Sequence, residues 1–460
     1  MSSIKQYIDL FTENRATIEA HSAAMLNELR DAALNALDGA TLPKKGDENY
    51  EISDIETEYA TDYGVNISRV NFGADTANAF RCDVPNMSTW LYFSFNDTYY
   101  SSRTASISMP EGAIVGSFNQ LAAQHSELIS KYYGKLAPLS DTTVALNTLL
   151  AQDGLFIYIP KNTTLEKPLQ LVNILNATMP VMVNRRIVIV LEENAHAKML
   201  ACDHTQSQET EFLNSQVIEV FAGKNSSFDY YDLEESGEKT HRVSSMWVRQ
   251  EEGSNVLVNG ITLVNGHTRN NFTIDVNGEH CETHLYGMAI GGDEQRIDNY
   301  SEIRHNVGHC SSNELFKYIL EDKSRGAFCG KIKVAPNSPR IEAYQGNRNI
   351  CMSPEAKMYS KPQLEIYTDD VKCSHGSTIG QLDQDAIFYM QARGISKNEA
   401  RMLLMQAFMA DVIATVRMES LKDRLRHLVD KRLYGKLALC QQCSSDCHDK
   451  INNIEQEIAQ

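Results

Sequence analysis

No stretch of this 460-residue chain approaches ~20 consecutive apolar residues, so no membrane-spanning helix is expected. The N-terminus, Met1-Ser-Ser-Ile-Lys-Gln-Tyr, lacks a basic flank followed by an apolar run, which argues against secretion and for a cytoplasmic protein. Positive charge is in deficit. Lys and Arg number 43 against 60 Asp and Glu, a net charge of −17, so phosphate backbones and anionic membranes would repel the chain. Marked catalytic motifs are missing too: there is no Gly-x-Gly-x-x-Gly, no Gly-x-Ser-x-Gly and no His-Glu-x-x-His. Gly326-Ala-Phe-Cys-Gly330-Lys331 faintly resembles a phosphate loop. It is one residue short between the glycines, and Ile332 stands where Ser or Thr would hold magnesium. Any enzyme built on this chain would have to use an unmarked site.

What is present falls into three parts, 1–150, 151–380 and 381–460. Leu10, Phe11, Ile18, Met25, Leu26, Leu29, Ala33 and Leu37 recur at three- and four-residue steps and predict helix over 4–38. Gly39 and Pro43 end it. Further helices are expected at 117–133 and 142–152. From Gly154 the helical period vanishes for more than two hundred residues. Short β-rich runs follow at 155–160, 169–174, 186–191, 216–222, 256–263, 284–290, 316–320, 327–334, 349–352 and 364–367, separated by turn clusters such as Val276-Asn-Gly. Without βαβ alternation a sandwich, a barrel or a β-helix is implied, and the number of strands favours the solenoid. The chain then returns to helix at 383–393. Ser396-Lys-Asn-Glu399 forms a capping box, and behind it Leu403, Leu404, Ala407, Phe408 and Val412 recur at helical spacing. That stripe serves either packing or partner docking. One more helix is expected at 421–433.

Most of the 10 cysteines are isolated, which reads as buried small hydrophobes rather than a disulfide framework. Cys373 and His375 stand apart. In an extended backbone residues i and i+2 face one side, about 7 Å apart, so a thiolate and an imidazole would point the same way. Such a pair suits iron, zinc or copper better than magnesium or calcium. The bland alternative is two packing residues at a strand end, as Cys202-Asp-His204 with the same spacing illustrates. A second thiol cluster, Cys440, Cys443 and Cys447 with His448, falls on one face if helical. It would suit a tetrahedral zinc or an iron–sulfur cluster, or it is an exposed tail.

The run Pro362-Gln-Leu-Glu-Ile-Tyr-Thr-Asp-Asp-Val-Lys-Cys-Ser-His-Gly-Ser-Thr-Ile-Gly380 closely resembles the signature of the SufB/SufD proteins of iron–sulfur cluster assembly. So do Ile387-Phe-Tyr-Met-Gln-Ala-Arg-Gly394, Phe328-Cys-Gly-Lys-Ile-Lys-Val334, Gln345-Gly-Asn-Arg-Asn-Ile350 and Asp153-Gly-Leu-Phe-Ile-Tyr-Ile-Pro160. The resemblance covers roughly 150–415, and Cys-Ser-His-Gly is similar to the SufD branch. It implies a mainly β protein: a right-handed parallel β-helix flanked by N-terminal and C-terminal α-helical regions. It further implies a non-catalytic scaffold that pairs with a SufB-like subunit and docks a SufC-like ATPase on the helix carrying Ser396, Glu399, Leu403, Leu404, Ala407 and Phe408. A homodimer is the alternative for the isolated chain. His375, with Cys373 beside it, matches a proposed iron or nascent-cluster site at the subunit interface. No tightly bound cofactor is implied, only transient iron or an iron–sulfur cluster; flavin involvement stays open. The Cys440–His448 cluster is foreign to the family pattern. The rival reading is a β-helix polysaccharide lyase or hydrolase, which would want an acidic cluster on one solenoid face.

Overall fold

The computed structural model describes residues 3–70, 89–101 and 109–438. They divide into two compact units, residues up to 380 and residues from 381 onward.

The first unit is a two-sheeted parallel β-solenoid of about eight turns, with helices at its N-terminal side. Successive strands alternate between the sheets, so each strand pairs with the next but one in sequence. One sheet runs from Thr98–Ser101 and Trp90–Phe95 to Ile341–Cys351 and finally Val371–Gly380. The other runs from Ile114–Ser117 and Leu155–Ile159 to Arg325–Val334 and finally Lys357–Ile366. Pairing is parallel except where Trp90–Phe95 meets Thr98–Ser101 and where Ile114–Ser117 meets Leu155–Ile159.

The side-chain period of two explains the core. Alternate residues of every strand face the other sheet, and parallel register stacks equivalent positions. The result is an aliphatic ladder in one continuous column: Ile157, Ile189, Val220, Val248, Ile274, Ile303, Ile332 and Leu364. All but Leu364 are essentially inaccessible, and each such burial contributes roughly 1.5–3 kcal/mol.

The corners repeat as well. Asn162, Asn194, Asn225, Gly253, His280, His309 and Arg340 all take positive φ. The amide of each donates to a carbonyl on the next coil, as Asn194 N does to Lys224 O at 2.8 Å and Asn225 N to Glu252 O at 2.8 Å. Asn and Gly tolerate this left-handed conformation, and the ladder of turn bonds holds one coil on the next. This repeat is diffuse in sequence because the seven positions carry four residue types.

Not all of the interior is apolar. In the early coils Arg185 pairs with Asp203 at 2.6 Å, and Arg242 reaches Asp232 at 2.5 Å and Asp203 at 3.2 Å, all buried. Such pairs roughly break even in energy but penalise any register that separates them.

The expected helix over 4–38 is three helices, Ile4–Ala20, Ala24–Asn27 and Arg30–Leu37. The break is fastened by buried Arg30, whose Nη2 donates to Ser22 Oγ at 2.8 Å and to the Ala151 carbonyl at 2.8 Å. Asp141 caps the helix Thr142–Leu150 through the amides of Thr143 and Val144. Every residue from Thr143 to Leu150 in that helix is buried, and its Ala145, Leu146, Leu149 and Leu150 share one apolar cluster with the N-terminal helices and Leu213 and Val243 of the solenoid.

The second unit contains the helices Gln384–Gln391, Lys397–Thr415 and Glu419–Ala438. Ser396 caps the middle one, its Oγ accepting the Glu399 amide at 3.2 Å. That helix buries Ala400, Met402, Met405, Met409, Val412 and Ile413. Among the described residues no helix is long and apolar enough to cross a membrane.

Candidate functional site

Cys373 and His375 lie on the strand Val371–Gly380, the last of its sheet, which has a neighbour on one side only. The paired strand sets Ala343 against Cys373 and Gln345 against His375. Cys373 is half-buried and packs on the apolar core, and burial pushes its thiol up from the usual value. His375 and every residue after it to Gly380 are exposed. A Cβ built on Gly376 or Gly380 would meet nothing within 4 Å. The strand is nonetheless ordered by its neighbours: Lys372 Nζ reaches Glu342 at 2.7 Å, and Ser377 Oγ lies 2.7 Å from Ser360 Oγ. Asp369 and Asp370 are exposed, outside the strand.

The register exposes a feature that sequence reasoning missed. The column below His375 reads Met199, Tyr230, Val258, Leu285, Glu314, Gln345, His375. It is apolar or aromatic until the last three coils and polar thereafter. Glu314 is 1% exposed; its carboxylate accepts Gln345 Nε2 at 2.7 Å and a bond from Ser301 Oγ. Burial pushes the carboxyl up to about 7, against the lowering effect of the bonds from Ser301 and Gln345. Gln345 Oε1 is buried with no hydrogen-bond partner. The signal was the coil length: Glu314, Gln345 and His375 are successive positions one coil apart.

Among the described residues, the one trio of His, Cys, Asp or Glu donors within 4.8 Å of one another lies elsewhere and excludes His375. Among the described residues no third such donor joins Cys373 and His375 in a compact cluster, short of the four that hold a tetrahedral ion. Cys202, Cys281, Cys310 and Cys329 are buried and form no disulfide among the described residues, but they are not inert hydrophobes: Cys281 and Cys310 each donate to the Gly278 carbonyl, at 3.1 and 3.2 Å, and Cys329 Sγ lies 3.0 Å from Asn49 Oδ1. The cluster Cys440, Cys443, Cys447 and His448 lies outside the described residues. The segment Gly326–Lys331 is strand, not loop, so its amides are committed to the sheet and cradle no phosphate.

The docking positions sort unevenly. Leu403 is 40% exposed and Ala407 is exposed, while Leu404 and Phe408 are half-buried. Phe388 and Tyr389 in the preceding helix are 74% and 57% exposed.

The class is that of a two-sheeted parallel β-solenoid with helices at both termini and a Cys-x-His motif on the last strand of one sheet. Residues 173–408 match the SufBD core domain of the SUF iron–sulfur cluster assembly system, and residues 1–171 match the SufBD N-terminal region. The chain belongs to the SufBD family. It is 28% identical over 430 residues to an iron–sulfur cluster assembly SufBD family protein of Synechocystis, covering 91% of this chain and 94% of that one. The iron–sulfur cluster assembly protein SufD of Escherichia coli is 29% identical over 293 residues, 63% of this chain and 69% of that protein. SufD of Bacillus subtilis is 23% identical over 440 residues, 94% and 98% respectively. The polysaccharide-enzyme reading is not favoured beside these.

Proposed function

We propose that the protein is a non-catalytic scaffold subunit of a cytoplasmic iron–sulfur cluster assembly complex. The observation that carries this reading is the last coil. Lys357–Ile366 and Val371–Gly380 are both terminal strands of their sheets, and the second presents two metal-affine side chains with no third such donor clustered on them among the described residues. A free edge is a template for another strand. A SufB-like subunit seated there completes the ligand set, so that His375, with Cys373 beside it, holds iron or a nascent cluster as cargo. Cys373 must lose its proton to ligate, and contact with a metal supplies the positive charge that drives this. ATP is hydrolysed in a SufC-like partner, which docks on the helical unit around Ser396, Glu399, Leu403, Leu404, Ala407 and Phe408. The solvent-facing Leu403 and Ala407 on that helix support this, since apolar residues left exposed mark interaction surfaces.

The test is co-purification of the tagged chain from its own cells, followed by His375→Ala. Subunits of SufB and SufC size are expected with both forms, and cluster assembly is expected to fall at least tenfold with the variant. Undiminished assembly would remove His375 from the mechanism, and absence of both partners would overturn the scaffold reading.

A further inference from the structure

A second donor cluster lies far along the chain from the last coil. His241 is the second residue of the strand Thr240–Gln250, and His267 begins the strand His267–Val276. The two are directly opposed in parallel register, their rings edge to face at 4.7 Å between centroids. Over them sits Glu58, the last residue of the short helix Ile55–Glu58. That helix is held rigidly. Asp54 caps it through the Thr57 amide at 3.0 Å, and Ile55 and Tyr59 are fully buried in the cluster that contains Leu213 and Val243. The Tyr59 carbonyl accepts Gln6 Nε2 at 2.7 Å and Tyr7 Oη at 3.0 Å.

Glu58 is 7% exposed. Its Oε1 lies 3.5 Å from His267 Nδ1, too far for a good hydrogen bond. The Nδ1 atoms of His241 and His267 are both buried and without a hydrogen-bond partner. One donor atom from each of the three residues lies within 4.8 Å of the other two. Two imidazoles packed on one buried carboxylate, each with an orphaned buried nitrogen, are hard to explain as packing, because buried polar atoms are normally satisfied. A single cation satisfies all three. Tetrahedral zinc with ligand bonds of about 2.0–2.1 Å sets its donors about 3.4 Å apart. The His267–Glu58 separation already matches, and small ring rotations close the rest.

We infer that Glu58, His241 and His267 form a binding site for a divalent first-row transition ion that clamps the N-terminal segment onto the solenoid wall. Two imidazoles and one carboxylate, without thiolate, select zinc, iron(II) or cobalt over calcium and magnesium. Three protein ligands leave room for water on the ion. The inference concerns a resident ion and stands apart from the cargo site at His375.

The experiment uses the full chain carrying Cys440→Ser, Cys443→Ser and Cys447→Ser, so that the tail does not compete. After chelation it is titrated with cobalt(II). One ion per chain is expected, with visible d–d absorption and no sulfur-to-cobalt charge-transfer band. Zinc should displace it and raise Tm. Glu58→Gln and His267→Gln should each weaken cobalt binding at least tenfold. Glu58→Gln keeps side-chain size, so its metal-free Tm should stay near that of the parent. Hydrogen exchange on the parent protein gives a reading independent of any variant: zinc should protect the amides around residues 55–60, 240–243 and 267–269. A thiolate charge-transfer band as the sole signal, binding unchanged by both substitutions, an adventitious ion only, or exchange unaltered by zinc would each overturn the site.

Discussion

The strands Val181–Leu191 and Val371–Gly380 are near equals in length and belong to the same solenoid, yet their fates are opposite. The first is buried at every position but one, flanked by partners on both edges. The second is exposed from His375 onward and flanked on one edge only. Their sequences explain the contrast. Val-Met-Val-Asn-Arg-Arg-Ile-Val-Ile-Val-Leu can fill both faces of a sheet. Val-Lys-Cys-Ser-His-Gly-Ser-Thr-Ile-Gly is polar and small, with little apolar surface to hide. A solenoid has to end, and a bare end invites uncontrolled strand pairing. This end instead exposes the strand that carries the Cys373 and His375 pair, which is why the proposed site is placed on the last coil rather than in the pair-bonded middle.

The strongest way to test that division is to damage the middle. Ile303 is fully buried in the aliphatic ladder between Ile274 and Ile332. Ile303→Ala leaves a cavity and is expected to cost about 2–5 kcal/mol, read as a fall in the denaturation midpoint. Because each coil rests on its neighbours, the loss should be felt by the whole array. A loss under about 1 kcal/mol would mean that the column is looser than its register implies.

Glu314 stands between the two regimes, buried like the middle but part of the polar column that leads to His375. Its raised carboxyl has a definite pH consequence. Between the ordinary 4.5 and about 7 the folded protein keeps a proton that the unfolded chain has released. Stability from this group is therefore complete below pH 4.5 and is lost as pH rises toward 7. Glu314→Gln should remove up to about 3 kcal/mol of that loss. The comparison must be with the parent protein at each pH, because His305, pushed down to about 4 by burial, works in the opposite direction over pH 4–6.5. Equal pH slopes for parent and variant would show that Glu314 ionises freely.

Much of this architecture was readable before any coordinates, and the failures are instructive. The apolar runs at 186–191 and 216–222 announced strands because their residues are buried on both faces. The strands His196–Thr205, Ser227–Glu235, Thr240–Gln250, His267–Val276 and Arg296–His305 went unmarked. They bury Arg242, Arg269, Asp232 and Asp298, charges that satisfy one another only once the coils stack. Composition cannot show a pairing made between different strands, whether Arg242 with Asp232 on consecutive strands or Arg269 with Asp298 one coil away. The same holds at the site. Cys373 and His375 were conspicuous as a short motif, whereas Glu314 and Gln345 gain meaning only from register. On the helix Lys397–Thr415, the stripe drawn through Leu403 and Ala407 proved to be partly solvent-facing, the methionines at 402, 405 and 409 taking the buried face. Flexible methionine fills irregular gaps and so weakens the aliphatic signal by which such a face is found.

The gentlest probe is the free edge itself. Ile379 is 52% exposed near the end of the last strand, and nothing in its surroundings requires an apolar side chain. Ile379→Lys should change stability by no more than about 0.5 kcal/mol, the usual range for an exposed position. Lysine on an edge strand opposes the addition of another strand, because pairing would bury its charge or force it aside. If the last coil is where a sister subunit seats, the substitution should lower recovery of that subunit in co-purification while the denaturation midpoint holds. If recovery is unchanged as well, the edge is merely a tolerated end of the solenoid, and the contrast between the two strands reflects solubility rather than function.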